Sequence, residues 1–366
     1  MAAEVSAPLA GQRVLALSPV NAYGGFNTSA HRIRALAELG ARLRVIDSSS
    51  DSRRGSAALS ARIANRLFSY GLPVPLPDSG GDGERLIAAA SEGGWDMIWL
   101  DKALTAGRRT LERVRAACPE AVIVGFSPDD MYGRHNQSRQ FLEALPVYDV
   151  FITTKSFNVK ELGALGCPRV VFVGNGFDPE AFHPIAASED ERRLLGGDVG
   201  FIGTFEAERA GLVCALADHG LRVRVWGSGW ERLRSRPALL QVEERPLYGD
   251  AFAKACGAFK INLCFLRKQN RDVQTTRSVE IPACGGFMLA ERSDEHLAMF
   301  EEHCEAAFFG SRAELIAKCE QYLADESARR RIAEAGHARC WRSYSNTERL
   351  RPILTDLLGP HQTRGN

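Results

Sequence analysis

Net charge is nearly missing from this sequence: Lys and Arg balance Asp and Glu to a formal +1. A chain without a basic excess has no global field for nucleic acid, so any anion it holds is held by a local cluster. Also missing is an apolar run approaching the ~18 residues of a bilayer span. The first such run, Val14 through Leu17, is far too short, and Met1 to Leu9 has no basic stretch, so no secretory leader is expected. Cysteines number nine, an odd count, and no two form a CxxC pair. Their scatter argues against a disulfide framework or a zinc site, and the expected compartment is reducing and cytoplasmic. No solenoid-length repeat and no low-complexity tract breaks the chain.

What is present is alternation. Short runs rich in Val, Ile and Leu occur at 13–18, 42–47, 96–101, 122–127, 150–154 and 170–174, with helical stretches between several of them, such as 28–39 and 156–165. Several of these runs are continuously apolar, the pattern of strands covered on both faces. From Phe177 to Gly197 the pattern stops: two prolines, a polar acidic run at 188–191 and a Gly pair make the best linker in the chain. A second alternating block has strands expected at 199–204, 223–226, 260–266, 287–290 and 307–309, and helices at 207–219, 275–284 and 312–324. An Arg-rich helical stretch closes the chain. The expected fold is α/β, with two Rossmann-like doubly wound domains facing a central cleft: 1–185, 186–345, and a C-terminal helix at 346–366 that crosses back to the first domain.

Four groups of residues carry chemistry. Gly24 and Gly25 lie in Asn21-Ala22-Tyr23-Gly24-Gly25-Phe26, between the first strand and a helix starting near Thr28. They let the backbone bend and approach a ligand, with the helix amides favouring an anion, or they serve a plain tight turn. This is not GxGxxG, so a dinucleotide fingerprint is absent there. Asp272 and Glu280 are separated by seven residues, Glu280 on a helix that ends in Gly285 and Gly286. Such carboxylates accept hydrogen bonds from vicinal hydroxyls, while an ordinary solvated helix position is the competing reading for Glu280. Arg209, Arg267 and Lys268 follow expected strand ends of the second block, and Arg277 sits on the Glu280 helix. Singly each reads as a surface charge; together they suit a diphosphate. Asp129 and Asp130 end the 122–127 run, where they act as a base, bind an acceptor or cap the next segment. His31 and His135 are expected near the same edge, and no His/Asp set marks a metal.

Residues 53–70 read as an amphipathic helix, with Leu59, Ile63, Leu67 and Tyr70 three or four apart and Arg62 and Arg66 among them. Packing on the sheet is the expected fate of such a stripe, and contact with a membrane surface is the alternative.

These motifs resemble the CgeB-like GT-B glycosyltransferases of the family 1/4 group over nearly the whole chain. In the first half the resemblance rests on Gly24-Gly25 with the following helix and Gly40-Ala41-Arg42-Leu43-Arg44-Val45, on the stretch from Tyr148 to Lys155, and on Gly174-Asn175-Gly176-Phe177-Asp178-Pro179 with Phe182-His183-Pro184. In the second half it rests on Val199-Gly200-Phe201-Ile202-Gly203-Thr204 with Arg209, on Glu280 through Gly286, on Phe300 to Phe309, on Glu314-Leu315 and on Arg331 through Gly336. The resemblance implies a GT-B fold and transfer of a sugar, hexosyl in kind, from a nucleotide-sugar donor to an unidentified acceptor, with retention and without a metal or other cofactor. It implies that Glu280 holds the donor ribose as the second acid of a Glu-x7-Glu motif, that Asp272 stands where the first Glu sits, and that Arg209 binds the diphosphate. Gly24, Gly25, Gly203, Gly285 and Gly286 fall at donor-side turns. Two departures stand out: Asp272 is shorter than Glu, and a Gly-Arg pair reads Gly203-Thr204 here, with Arg267 or Lys268 left to compensate. A nucleotide-sugar epimerase of the same architecture and a silent nucleotide-sugar-binding protein are the rival readings, separated by a donor-only assay and by turnover.

Overall fold

The computed structural model describes residues 7–22, 27–49 and 59–358. Contacts divide the chain into two units, Met1–Gly174 with Asn346–Asn366, and Asn175–Ser345.

The first unit is built on β1 (Arg13–Ser18), β2 (Arg42–Asp47), β3 (Met97–Asp101), β4 (Val122–Ser127), β5 (Val150–Thr153) and β6 (Val170–Phe172), with helices α1 (Thr28–Glu38), α2 (Leu59–Ser69), α3 (Asp82–Ala90), α4 (Arg108–Ala117), α5 (Arg139–Ala144) and α6 (Asn158–Ala164). All strands are parallel, in the order β2-β1-β3-β4-β5-β6. β3 and β4 are buried along their whole length, which is why they read as unbroken apolar runs. β2 is largely uncovered and carries Arg42 and Arg44, charges that suit an edge strand. Period-2 alternation sends Leu15, Leu17, Ile98 and Leu100 to one face, under α3, α4 and α5, and Val14, Ala16, Met97 and Trp99 to the other, under α1.

Not all of the first unit follows expectation. α2 does not bury its apolar stripe: Leu59, Ile63, Leu67 and Tyr70 are all exposed. The helix lies instead near a turn at Arg134–Asn136, with Ala61 buried and Phe68 half-buried.

The second unit holds β7 (Gly197–Ile202), β8 (Val223–Trp226), β9 (Leu240–Val242), β10 (Phe259–Cys264), β11 (Met288–Glu291) and β12 (Ala307–Phe309), with α7 (Glu189–Leu195), α8 (Ala207–Asp218), α9 (Gly249–Ala258), α10 (Arg277–Ala283), α11 (Asp294–Met299), α12 (Arg312–Ala324) and α13 (Glu326–Ser343). Its parallel sheet runs β12-β11-β10-β7-β8-β9, the strand order of a Rossmann domain. The stretch expected as a linker is not all loop. Ser188 accepts from the Glu191 amide while the Glu191 carboxylate accepts from the Ser188 amide, a capping box that starts α7. The acidic run is therefore a helix first turn, where carboxylates complement the dipole.

After α13 the chain returns to the first unit as α14 (Asn346–Leu358). Leu350, Leu354 and Leu357 are buried there with Ala35, Leu36 and Leu39 of the α1 region. No helix among the described residues is long and apolar enough to cross a membrane. All nine cysteines are free thiols, mostly buried.

Candidate functional site

In an open parallel sheet the ligand crevice forms beyond the strand carboxyl ends where strand order reverses. In the second unit that point lies between β7 and β10. Arg209, in the first turn of α8, stands there and is buried. Its guanidinium donates to the Thr204 carbonyl beyond β7 at 3.4 Å and to the Phe265 carbonyl beyond β10 at 3.5 Å. It also lies over the Phe201 ring, 5.6 Å from the centroid. Its Nε has no hydrogen-bond partner, although the Glu206 carboxylate is 3.6 Å away. Burial pulls the Arg209 pKa below its ordinary value, opposed by the charge of Glu206. A buried cation with an unfilled donor at the switch point is an arrangement that an anion would complete.

The other cations are gathered at the same edge. Arg267 Nε donates to Glu206 Oε1 at 2.9 Å, so Glu206 sits between Arg209 and Arg267. Lys268 pairs with Glu291 at the end of β11, and Glu291 also accepts from the Leu266 amide at 3.1 Å. Glu206 and Glu291 were missed by sequence reasoning; their part depends on strands distant in sequence meeting at one edge. The Gly203 carbonyl accepts from Trp230 Nε1 at 2.9 Å, and a Cβ on Gly203 would come within 2.6 Å of the Phe201 ring. Glycine is thus required at this turn by packing.

α10 brings in the carboxylate. Glu280 is buried and pairs through Oε2 with Arg277 Nη1, whose guanidinium stacks 4.3 Å from the Phe252 ring centroid and donates from Nε to the Ile202 carbonyl. Glu280 is therefore no solvated helix position, and Arg277 serves it directly. Asp272 is buried in the preceding loop, accepts from Asn270 Nδ2 at 2.8 Å, and bears on the electrostatics of Arg209. Its neighbour Arg271 has φ 47°, strain of the kind that clusters at functional loops. The start of α10 is held by a buried pair: Ser278 Oγ lies 2.7 Å from His296 Nε2, and His296 Nδ1 lies 2.7 Å from the Glu291 carbonyl. A carbonyl only accepts, so Nδ1 carries the proton and Nε2 accepts from the serine hydroxyl. Burial pulls the His296 pKa down, so the ring is neutral.

Gly285 and Gly286 are placed elsewhere. Gly285 ends α10 in the left-handed region, φ 78°, and Gly286 packs against Asn262 and the Cys256 carbonyl just before β11 begins. They lie at the amino ends of the strands, away from Arg209, and their close packing accounts for the Gly pair.

In the first unit, Asp129 follows β4, is partly exposed and pairs with Lys102, which follows β3 with φ 46°. Asp130 is buried and accepts from the Tyr132 and Gly133 amides, both at 3.1 Å, and from Asn158 Nδ2 at 2.9 Å. It organises the loop, so of the two only Asp129 presents accessible carboxylate. His31 is buried in α1, and His135 lies 3.1 Å from Asn136 Nδ2. Gly24 and Gly25 lie outside the described residues. The first-turn amides of α1 that were expected to face an anion are met by Asn27, whose Oδ1 accepts from the Ser29 and Ala30 amides at 3.0 Å.

The two-sheet architecture is the α/β fold of GT-B glycosyltransferases, and solved structures of that kind match nearly the whole chain. Sucrose-phosphate synthase from Thermosynechococcus elongatus matches with a TM-score of 0.65 and 14% identity, over 94% of this chain and 97% of that one. Anabaena HepE in complex with UDP and glucose matches at 0.62 and 14%, over 94% and 99%. A glycosyltransferase from Rickettsia africae matches at 0.63 and 10%, over 95% and 99%. Residues 209–355, fewer than half of the chain, match the model of a family described as glycosyl transferase-like. That match begins at Arg209 and includes Asp272 and Glu280. No curated protein matches the sequence.

Proposed function

We propose that the protein is a glycosyltransferase that moves a hexosyl group from a nucleotide sugar to an acceptor, in the CgeB-like manner. The observation that carries the reading is Arg209: a buried guanidinium at the β7–β10 switch point with an unfilled Nε. In this reading Arg209, Arg267 and Lys268 surround the diphosphate, and Glu280 accepts from the ribose hydroxyls with the oxygen that Arg277 leaves open. Asp272 faces the sugar. HepE has been solved with UDP-glucose, which makes UDP-sugars the first donors to try.

The chemistry follows from that placement. The acceptor oxygen forms a bond to the anomeric carbon as the bond from that carbon to the diphosphate breaks. In a retaining transfer the departing phosphate oxygen takes the acceptor proton on the same face. The cations then stabilise the charge that develops on the leaving group, worth about 2.7–4 kcal/mol per well-placed donor. No metal is called for in this scheme, and chelation with EDTA is expected to leave the rate unchanged. If the product is inverted, Asp129 is the base. A cytoplasmic enzyme fits the free thiols.

The test is turnover. Wild-type protein incubated with UDP-, GDP-, ADP- and dTDP-sugars and an acceptor panel is expected to release nucleoside diphosphate in an acceptor-dependent way. Glu280→Ala should lower kcat/KM at least tenfold; because it also leaves Arg277 without its buried partner, the thermal midpoint should fall, so rates are compared well below it, and NMR of the product reports the anomer. Kinetics like the wild type in Glu280→Ala would remove Glu280 from the site. Consumption of donor with no acceptor present would favour the epimerase reading.

A further inference from the structure

We propose that α2 is a docking helix for an anionic lipid surface. The argument starts from which side of the helix is turned out. At 3.6 residues per turn, Leu59, Ile63 and Leu67 stack along one face, and Tyr70 continues it. Their exposures are 72%, 52%, 37% and 71%, and Leu72 just beyond is 47% exposed. The opposite face carries Ala61, buried, with Ala64 and Phe68 half-buried. The helix thus buries only Ala61 fully and presents most of its large apolar side chains to solvent, the reverse of an ordinary surface helix.

Charge selects the occupant. Arg62 and Arg66 are exposed along one flank of that stripe, and no acidic residue occurs between Asp51 and Asp78. An apolar stripe flanked by arginines, with no carboxylate, is complementary to an interface that is apolar below and anionic above. A second copy of the chain fits less well. Eleven helical residues span about 16 Å, and at a width of about 10 Å the footprint is ~160 Å², against about 800 Å² per partner in a stable interface. A two-fold contact would also set arginine flanks close together. Insertion into a headgroup layer needs no symmetry, and it adds attraction between arginines and anionic lipids to the burial of a small apolar area.

The position gives the docking a use. α2 lies by the turn Arg134–Asn136, which closely follows Asp129 and Asp130 beyond β4. If the chain is a glycosyltransferase, a bilayer held by α2 would present its acceptor, a lipid-borne hydroxyl, at that end of the first unit's sheet. Only this last step rests on the proposed function; the docking does not.

Co-sedimentation of the full chain with phosphatidylcholine vesicles, with and without phosphatidylglycerol, tests it. The wild type should sediment with the anionic vesicles alone and be released in about 1 M NaCl, where charges are screened beyond about 3 Å. Leu59→Ser/Ile63→Ser/Leu67→Ser and, separately, Arg62→Glu/Arg66→Glu should each weaken binding at least tenfold, with thermal midpoints unchanged because the replaced groups are exposed. Absence of phosphatidylglycerol-dependent sedimentation, or a triple variant that binds like the wild type, overturns the proposal. So does light scattering that shows a wild-type dimer made monomeric by the triple variant. Donor binding by the same preparation is measured without vesicles, so failure here and failure of the glycosyltransferase reading are told apart.

Discussion

Arg209 is the side chain on which the proposed donor site turns, and its partners hold it in place. The carbonyls of Thr204 and Phe265 fix the guanidinium, Glu206 balances its charge without hydrogen-bonding Nε, and Phe201 covers one face. Glu280 is held just as firmly by Arg277. His296 makes a separate, pH-dependent contribution. Its pKa is lowered by burial, so below about pH 6.5 the unfolded chain takes up a proton that the folded ring refuses. The unfolded state then binds more protons, and stability falls as pH drops through that range. The thermal midpoint should therefore decline from pH 7 to pH 5, and His296→Gln should flatten part of the decline. An equal decline in the variant would place the effect elsewhere. Arg209 was legible as a charge following an apolar run, and Asp272 and Glu280 through their spacing beside a helix that ends in a Gly pair. Glu206, Glu291 and His296 were not, since each acts through a partner that only folding brings near. Asn27 left a local signal, an N-cap residue just before a helix, that the glycines beside it obscured.

Strands and helices tell a similar story. β3, β4 and β8 were readable as apolar runs, whereas β9, three residues at a sheet edge, gave too little pattern. α7 was hidden because an acidic run beside prolines resembles a loop, although Ser188 and Glu191 carry the spacing of a capping box. The stripe of α2 was visible, but periodicity alone cannot say which way a helix turns. α14 follows the ordinary rule: Leu354 is wholly buried among the α1 leucines. Leu354→Ala should destabilise the first unit by about 2–5 kcal/mol, seen in urea denaturation. A loss below about 0.5 kcal/mol would mean that α14 is not anchored as described.

Across the chain, two parallel six-stranded sheets each reverse strand order once, and the chemistry-bearing residues gather beyond strand ends. A net charge near zero leaves the proposed recognition of an anion to this local arrangement. Calorimetric titration of the wild type and of Arg209→Ala with UDP, GDP, ADP and dTDP tests that claim most directly. At least one nucleoside diphosphate should bind the wild type, and the variant should bind it at least tenfold more weakly. No heat from any of the four at millimolar concentration, or equal affinity in the two proteins, would contradict it.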